Sequence, residues 1–353
     1  MAGEDRVSRE YSNERPTLRI VAADERGRLI MRIVIPGGTG QVGSLLARTF
    51  HDEGHDVVVL SRAPRPRPWR EVAWDGATVA GWTSEIDGCD VVINLAGRSV
   101  MCRYDEAHKR EIIESRVQST REVGEAIAAA KRPPRVWLQA STATIYAHRY
   151  DGANDERSGV LGGSESNAPA AWRFSIEVAR AWERTFTLFQ LEHTRQVALR
   201  SAMILSPDAG GIFETLVGLV RRGLGGAAAD GRQYMSWIHE HDFVAAVRWL
   251  IARPEIDGVV NVASPHPLPN AEFMRILRDA CGVPCGLPAT KWMLEIGALL
   301  MRTETELILK SRRVVPTRLV ESGFRFQYPQ VADAVRELYA RRDHQRRMPR
   351  QAA

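Results

Sequence analysis

The sequence is poor in cysteine and contains no long hydrophobic run. Four cysteines in 353 residues are too few for a disulfide framework. Cys281 and Cys285 form a single CxxxC with no second pair, which argues against a zinc site. No stretch of about 18 uncharged apolar residues occurs, and this excludes a membrane-spanning helix. These absences predict a protein of a reducing, cytoplasmic compartment.

Lysine is also scarce, with four residues (109, 131, 291 and 310) among 48 basic side chains. Most of the net charge of +5 lies at the C-terminal end, where six arginines from Arg336 onward face Glu337 and Asp343. Residues 346–353 are therefore expected to form a solvated basic tail. No basic face with interleaved aromatic residues occurs elsewhere, so we expect no nucleic-acid partner.

The first 30 residues contain six acids, six arginines and a single aromatic residue, Tyr11. They include no apolar segment of the kind that a secretory signal needs, and their acids argue against a transit peptide. With so little apolar content they cannot build a core, so residues 1–30 are expected to be a disordered extension.

From Met31 onward, short apolar runs rich in β-branched residues alternate with helical patterns. The predicted strands are MRIVIP (31–36), DVVVLSR (56–62), CDVVINLAG (89–97), RVWLQAS (135–141) and TRQVALRSAMIL (194–205). Buried strands that alternate with helices indicate a parallel sheet covered on both faces. After Pro284 the pattern changes to shorter segments. We therefore expect an α/β fold, with a Rossmann-type doubly wound parallel sheet over 31–285 and a small C-terminal α+β lobe over 286–345.

A glycine-rich turn joins the first predicted strand to the first helix. It consists of Gly37, Gly38, Thr39, Gly40, Gln41, Val42 and Gly43. In this context the first glycine permits a tight turn, the second lets a pyrophosphate approach the backbone, and the third lets the helix pack on the strand. The free amides of the helix N-terminus would then face the phosphates. The pattern predicts a dinucleotide site, against the simpler interpretation of a glycine turn without a ligand.

The end of the second strand favours NADP(H) over NAD(H). NAD sites place an acid there to hold the ribose 2′-hydroxyl, but this chain has Ser61 and Arg62 with no acid beside them. An arginine and a hydroxyl would bind a 2′-phosphate, which a carboxylate would repel. The alternative is a surface arginine in an arginine-rich protein. At the end of the predicted strand over 89–97, the small residues Ala96 and Gly97 would let the cofactor lie against the backbone.

Together these motifs resemble the extended short-chain dehydrogenase/reductase superfamily, of NAD-dependent epimerase/dehydratase type. The segment 141–146 (STATIY) is similar to the strand end of sugar-nucleotide epimerases. The segments 112–120 (IIESRVQST), 222–226 (RGLGG), 236–239 (SWIH) and 323–326 (GFRF) resemble an atypical subgroup known as epimerase family proteins. That subgroup carries a small C-terminal domain of undefined function. The resemblance implies a set of cofactor contacts, namely Ser61, Arg62, Leu95, Ala96, Glu111, Arg116 and Ile204.

The superfamily's usual catalytic residues are a Ser or Thr and a Tyr-x-x-x-Lys on the next helix, in which the Lys lowers the pKa of the Tyr. Thr142 occupies the Ser/Thr position. If Ser175 matches the serine of the familiar pattern, Trp172 replaces the Tyr and Ile176 replaces the Lys, and neither can move a proton.

Tyr146 is the first candidate for a substitute acid, because it follows Thr142 at the same strand end. A lone Tyr should keep its ordinary pKa of about 10, which would favour the reductive direction. A packing role for Tyr146 is equally compatible with the sequence. His148, Ser175 and Glu177 are weaker candidates. His239 and His241 invite a metal interpretation, but they lack a third ligand, so we expect no metal site.

Two functions remain open from the sequence. The first is an NADP(H)-dependent oxidoreductase or epimerase acting on a small polar metabolite, with nucleotide sugars as one candidate class. The second is an NADPH-binding sensor or regulatory protein without turnover, which the missing Tyr/Lys pair favours and the retained Thr142 disfavours. The sequence predicts no particular substrate or oligomeric state.

Overall fold

The computed structural model describes residues 30–79, 81–165, 169–290 and 306–347. The predicted N-terminal extension, apart from residue 30, and the basic tail beyond residue 347 lie outside the described residues. Within those ranges no helix is long and apolar enough to cross a membrane.

Seven parallel strands form the central sheet. In chain order the strands of the structure are β1 (Arg32–Pro36), β2 (Asp56–Ser61), β3 (Arg70–Ala73), β4 (Val91–Asn94), β5 (Val136–Thr142), β6 (Arg195–Ser201), β7 (Met203–Leu205), β8 (Tyr234–Met235), β9 (Trp237–His239), β10 (Gly258–Val262) and β11 (Leu268–Pro269). The sheet order is β10-β6-β5-β4-β1-β2-β3, and every pairing in it is parallel. This confirms the predicted Rossmann-type α/β fold.

Helices cover both faces of this sheet. In chain order the described helices are α1 (Gln41–Asp52), α2 (Glu106–Ala129), α3 (Ala170–Thr187), α4 (Ile212–Arg221), α5 (Glu240–Ala252), α6 (Asn270–Cys281), α7 (Glu306–Leu309), α8 (Thr317–Glu321) and α9 (Val331–Arg347). Successive side chains of a strand point to opposite faces. Ile33 accordingly packs in one core with α1 and α5, and Val34 packs in another with α2 and α3.

The predicted single strand over 194–205 is wrong in one respect, because the chain changes partner at Ala202. β6 lies in the main sheet, whereas β7 pairs in parallel with β9, outside it. The amide of Ala202 still donates to Val262, but the amide of Met203 donates to Ser236, at 3.2 Å. A continuous strand-like pattern over 194–205 carries no signal for such a change of partner.

The C-terminal helices pack against the body of the protein. Val335 and Leu338 of α9 share a core with Phe213 of α4 and Phe273 of α6. The amides of Gly226 and Leu287 tie the segment before residue 290 to the loop after α4. The boundary at residue 285 stays a prediction, and the described part of the lobe shares its core with earlier helices.

Candidate dinucleotide and substrate site

The glycine turn has the close backbone contacts that its spacing predicts. Gly37 has φ +73°, and a Cβ built there would lie 2.5 Å from the Cα of Ala96 at the end of β4. A Cβ on Gly43 would lie 2.4 Å from the Cα of Gly38. Side chains at these two positions are therefore excluded by neighbouring backbone, which lets the turn lie against β4 and α1 lie against the turn.

Gly40 differs, because no heavy atom lies within 4 Å of a Cβ built on it. It is the N-cap residue of α1, and no side chain caps the helix there. The first amides of a helix have no intrahelical acceptor and carry partial positive charge. The open space at Gly40 therefore adjoins a group of donors suited to a phosphate.

A cavity of about 720 Å³ opens beside this turn. Among the residues that line it are eight predicted cofactor contacts, namely Gly37, Thr39, Gly40, Ser61, Arg62, Leu95, Ala96 and Gly97. α2 contributes Glu114, Ser115, Gln118 and Ser119 to the opposite wall. The volume is typical of small-molecule pockets, and its position outside the carboxyl ends of β1, β2 and β4 is that of nucleotide sites in open parallel sheets.

Three further residues of the turn, Gly38, Gln41 and Val42, are not among the residues that line the cavity. Gly38 is buried against Ile35 and Val59, and Val42 packs on the core beneath α1. The side chain of Gln41 lies against Gly211, and its buried Nε2 has no hydrogen-bond partner among the described residues. This amide is a donor that a ligand could satisfy.

Ser61 and Arg62 differ in how far the protein already uses them. Ser61 is buried, and its Oγ accepts a 3.2 Å hydrogen bond from the amide of Ala63. Arg62 is exposed and makes no hydrogen bond or ion pair with any described residue. Its guanidinium is therefore available to an anion in the cavity.

An acid, Asp75, lines the same cavity, although the sequence at the end of β2 contains none. Asp75 follows β3, a short edge strand with no clear sequence signal. Its carboxylate accepts hydrogen bonds of 2.8–2.9 Å from the amides of Ala77 and Thr78 and from the Thr78 hydroxyl. These bonds lower the pKa of Asp75, so it is a carboxylate whose charge is held by its own loop.

Glu111 and Arg116 contact the walls of the cavity rather than line it. Glu111 pairs with Arg98, which does line it. Arg116 donates to the carbonyl of Ile112 at 3.0 Å, and its guanidinium lies 4.9 Å from the ring centre of Trp182. Burial lowers the pKa of Arg116 to about 10. A Cβ on Gly97 would lie 3.1 Å from Arg116, so Arg116 supports this part of the wall.

The other predicted contacts lie further along the sheet edge. Ile204 is half-buried in β7, opposite Ile238 of β9. Thr142 ends β5, and its Oγ1 accepts a 3.1 Å hydrogen bond from the amide of Thr144. Neither is among the described residues that line the cavity.

Tyr146, the candidate acid, is buried and its hydroxyl is hydrogen-bonded inside the protein, as the packing role that the sequence also allowed requires. The residue is 1% exposed, and its hydroxyl donates to Asn261 Oδ1 at 2.9 Å and accepts from Arg200 at 3.0 Å. Arg200 is held in turn by both carboxylate oxygens of Glu183. Burial raises the pKa of Tyr146 above its ordinary value, although Arg200 opposes the rise. The fold therefore uses this hydroxyl to join β6 to β10.

The first turns of α3 contain the positions where the Tyr/Lys pair was sought. Trp172 contacts His148 in a tilted arrangement, with ring centres 4.8 Å apart, and Ile176 is buried. Ser175 donates to the carboxylate of Glu306, from the C-terminal segment. Glu177 is exposed on the far side of the helix. No local sequence pattern indicates the contact with Glu306, because 131 residues separate the partners.

Both ring nitrogens of His239 are used by the fold. Nδ1 accepts from the amide of His241 at 3.0 Å and so caps α5, which leaves the proton on Nε2, 2.9 Å from Glu337 of α9. Burial lowers the pKa of His239 to about 4. Among the described residues, no group of three potential metal ligands forms around these histidines.

Comparisons with known proteins agree with this geometry. The NAD dependent epimerase/dehydratase family model matches residues 33–263, and a domain of unknown function (DUF1731) matches 289–338. The bovine epimerase family protein SDR39U1 is 31% identical over 88% of this chain and its own full length. The Bacillus subtilis epimerase family protein YfhF is 30% identical over 88% of this chain and 99% of its own.

A solved structure shares the fold as well. The crystal structure of human epimerase family protein SDR39U1 with NADPH has a TM-score of 0.76 and 27% identity, covering 88% of this chain and 99% of that one. The family match spans the sheet, the glycine turn and the crevice, and the relatives extend over the C-terminal segment. The chain therefore belongs to the NAD dependent epimerase/dehydratase family.

Proposed function

We propose that the protein is an NADP(H)-dependent oxidoreductase or epimerase that acts on a small polar metabolite, with nucleotide sugars as a candidate class. The observation that carries this proposal is the open space at Gly40, between the uncapped first turn of α1 and the cavity. A dinucleotide diphosphate fits there, because it would satisfy amides that the protein leaves without an acceptor. The NADPH bound by human SDR39U1 supports the same cofactor class.

Arg62 is the basis for preferring NADP(H) to NAD(H). It lines the cavity beside Ser61 and has no partner among the described side chains. A 2′-phosphate there would gain a charge-assisted contact that NAD(H) cannot make. Asp75 lines the same cavity and keeps its charge, so the preference for NADP(H) rests on a direct contact between Arg62 and the 2′-phosphate that outweighs this carboxylate.

NADP(H), when bound, supplies or accepts the hydride at its nicotinamide. Thr142, at the carboxyl end of β5, would hold the substrate oxygen. In a reduction the carbonyl carbon gains the hydride, and the oxygen takes the released electron pair and then one proton. Because Tyr146 is buried and hydrogen-bonded, we assign this proton to a water held at Thr142.

Binding titrations of wild type and Arg62→Ala with NADPH and NADH test the cofactor assignment. One charge-assisted hydrogen bond is worth about 1.5–3 kcal/mol. Arg62→Ala should therefore weaken NADPH by about tenfold or more and leave NADH unchanged. Arg65→Ala, an exposed arginine three residues away, is the matched control and should change neither. Equal wild-type affinities for the two cofactors would overturn the assignment.

A panel of carbonyl compounds and nucleotide sugars separates turnover from sensing. Consumption of NADPH with any member supports an enzyme. Tight NADPH binding without turnover in either direction favours the sensor instead, for which the replacement of the Tyr/Lys pair by Trp172 and Ile176 is the supporting observation.

A further inference from the structure

Three charged residues of the C-terminal segment lie against the end of β5. Lys310 Nζ donates to the carbonyl of Thr144 at 2.7 Å, and Arg312 Nε donates to the Thr144 hydroxyl at 3.1 Å. The carboxylate of Glu306 lies 3.9 Å from both cations. The side chain of Lys310 is fully buried. The ammonium group of Lys310 therefore lies at Thr144, which follows Thr142 by two residues in the chain.

The same segment also contacts the first turns of α3. Glu306 accepts from the hydroxyl of Ser175, and the hydroxyl of Tyr104 lies 3.4 Å from that of Ser175. The amide of Ser311 donates to His148 Nδ1 at 2.8 Å, and the His148 ring covers Trp172. The helix positions where the Tyr/Lys pair was sought therefore border this cluster.

Burying such charges is expensive, and packing alone does not require them. A buried ion pair is often no better for stability than apolar residues of the same volume. Groups that face Lys310 come from two segments of the chain. They are Arg312 and Glu306 of its own segment, and Glu165 and His148 of the loop after β5. Burial, followed by repulsion from Arg312, lowers the pKa of Lys310 to about 8.

Sheet topology places this cluster beside the second half of an extended dinucleotide. The cavity already described lies at the ends of β1, β2 and β4 and includes Arg62, the proposed 2′-phosphate contact. A dinucleotide that begins there crosses the switch point between β1 and β4 and continues toward the end of β5. Thr142 and Thr144 occupy that end, and Lys310 and Arg312 are bound to Thr144.

We propose that Lys310 is a positioning residue of the reaction centre, a positive charge that the C-terminal segment supplies beside the nicotinamide in place of the missing helix lysine. This inference rests on the proposed function and assigns a role to the segment that matches the domain of unknown function. The charge stabilises negative charge on the substrate oxygen held at Thr142. The substrate class is therefore a carbonyl compound, or the alcohol formed from it.

The charge difference between NADP+ and NADPH provides the test. The two share every phosphate, but only the oxidised nicotinamide ring is positive. Repulsion between that ring and a charged Lys310 at the reaction centre should raise the Kd for NADP+ about tenfold relative to the Kd for NADPH. Because the coupling is reciprocal, the ratio of Kd for NADP+ to Kd for NADPH should fall about tenfold as pH rises from 6.5 to 9.5.

Variants separate this charge effect from a structural role. Lys310→Arg keeps a charge that does not titrate in this range, so its ratio should remain at the low-pH value throughout. Lys310→Met should give the high-pH ratio throughout. Lys109→Met removes a partly buried lysine that pairs with Glu106 and should behave like wild type.

The possible failures are distinct. A wild-type ratio that does not change with pH, with both cofactors bound, would overturn the role of Lys310 and leave the cofactor proposal intact. A pH dependence that persists in Lys310→Arg would do the same, and this variant decides the question even if Lys310→Met does not fold. Absence of binding by either cofactor at every pH would overturn the proposed function, and this inference with it.

Discussion

Replacing Gly40 by alanine should remove most NADPH affinity without destabilising the protein. Gly40 has φ −71° and ψ 174°, a conformation open to any residue, and no heavy atom lies near its built Cβ. The folded protein therefore accommodates the methyl group. A Gly→Ala change at such a position restricts the unfolded chain and raises the free energy of unfolding by about 0.4–1 kcal/mol.

The same methyl group would occupy the space where we place the diphosphate. It would hold the phosphate oxygens away from the first-turn amides of α1, and each charge-assisted hydrogen bond lost costs about 1.5–3 kcal/mol. Loss of one such bond weakens NADPH by at least about tenfold, and loss of two by more than a hundredfold. The site, and not the fold, should therefore be affected.

Two matched variants make the experiment specific. Gly81→Ala adds a methyl group into equally open space at a residue that does not line the cavity, so it should leave Kd unchanged and give the same small rise in stability. Gly37→Ala should instead lower stability, because its φ is +73° and Ala96 lies 2.5 Å from the new Cβ. The measurements are Kd from fluorescence titration and the free energy of unfolding from urea curves. A Gly40→Ala protein with wild-type Kd for NADPH would refute the phosphate assignment.

Two further predictions concern buried polar groups. Tyr146→Phe should lower the free energy of unfolding by about 1–3 kcal/mol, because Asn261 and Arg200 lose a buried partner, while Kd for NADPH stays constant. Reduced affinity with unchanged stability would contradict this. His239 is neutral in the folded protein and has a pKa of about 4, so its unfolded form binds more protons below pH 6.5. Stability should be complete above pH 6.5 and fall by up to about 3 kcal/mol as pH drops toward 4, as shown by urea midpoints. His239→Asn keeps an N-cap acceptor and should flatten this dependence, and an unchanged slope would rule His239 out as its source.

The parts of the structure that the sequence predicted correctly depend on local signals. Runs of β-branched residues such as 56–61 mark buried parallel strands, and the glycine spacing from Gly37 to Gly43 specifies the turn between strand and helix. Each signal lies within a few neighbouring residues, so no knowledge of distant partners is needed. The fold class and the glycine turn follow from such signals alone.

β3 and Asp75 were missed because their signal is weak. β3 has only four residues, none of them fully buried, and it forms the edge of the sheet. Such a segment shows neither a buried apolar run nor a long alternation. The acid that follows it enters the cavity only because β3 pairs with β2, and that pairing is not visible in the sequence around Ser61.

The direction of the Tyr146 hydroxyl and the position of Lys310 both depend on contacts between distant parts of the chain. The sequence placed Tyr146 at the correct strand end, but the direction of its hydroxyl is set by Arg200 and by Asn261, which is 115 residues away. Similarly, nothing near α3 indicates that Lys310 reaches Thr144, 166 residues earlier. A motif search within α3 can therefore report a missing lysine and still overlook a positive charge delivered from elsewhere.

The C-terminal segment carries charged residues where it contacts Ser175 and Thr144. If that segment only covered the sheet, the surface facing Ser175 and Thr144 would be most stable with apolar residues of similar volume. Instead it buries Glu306, Lys310 and Arg312 there. Buried, charged residues of perturbed pKa are more common at functional sites than in packing surfaces. The replacement of the helix pair by Trp172 and Ile176 and the arrival of these charges at the same place are therefore best explained together, as one reaction centre assembled from two parts of the chain.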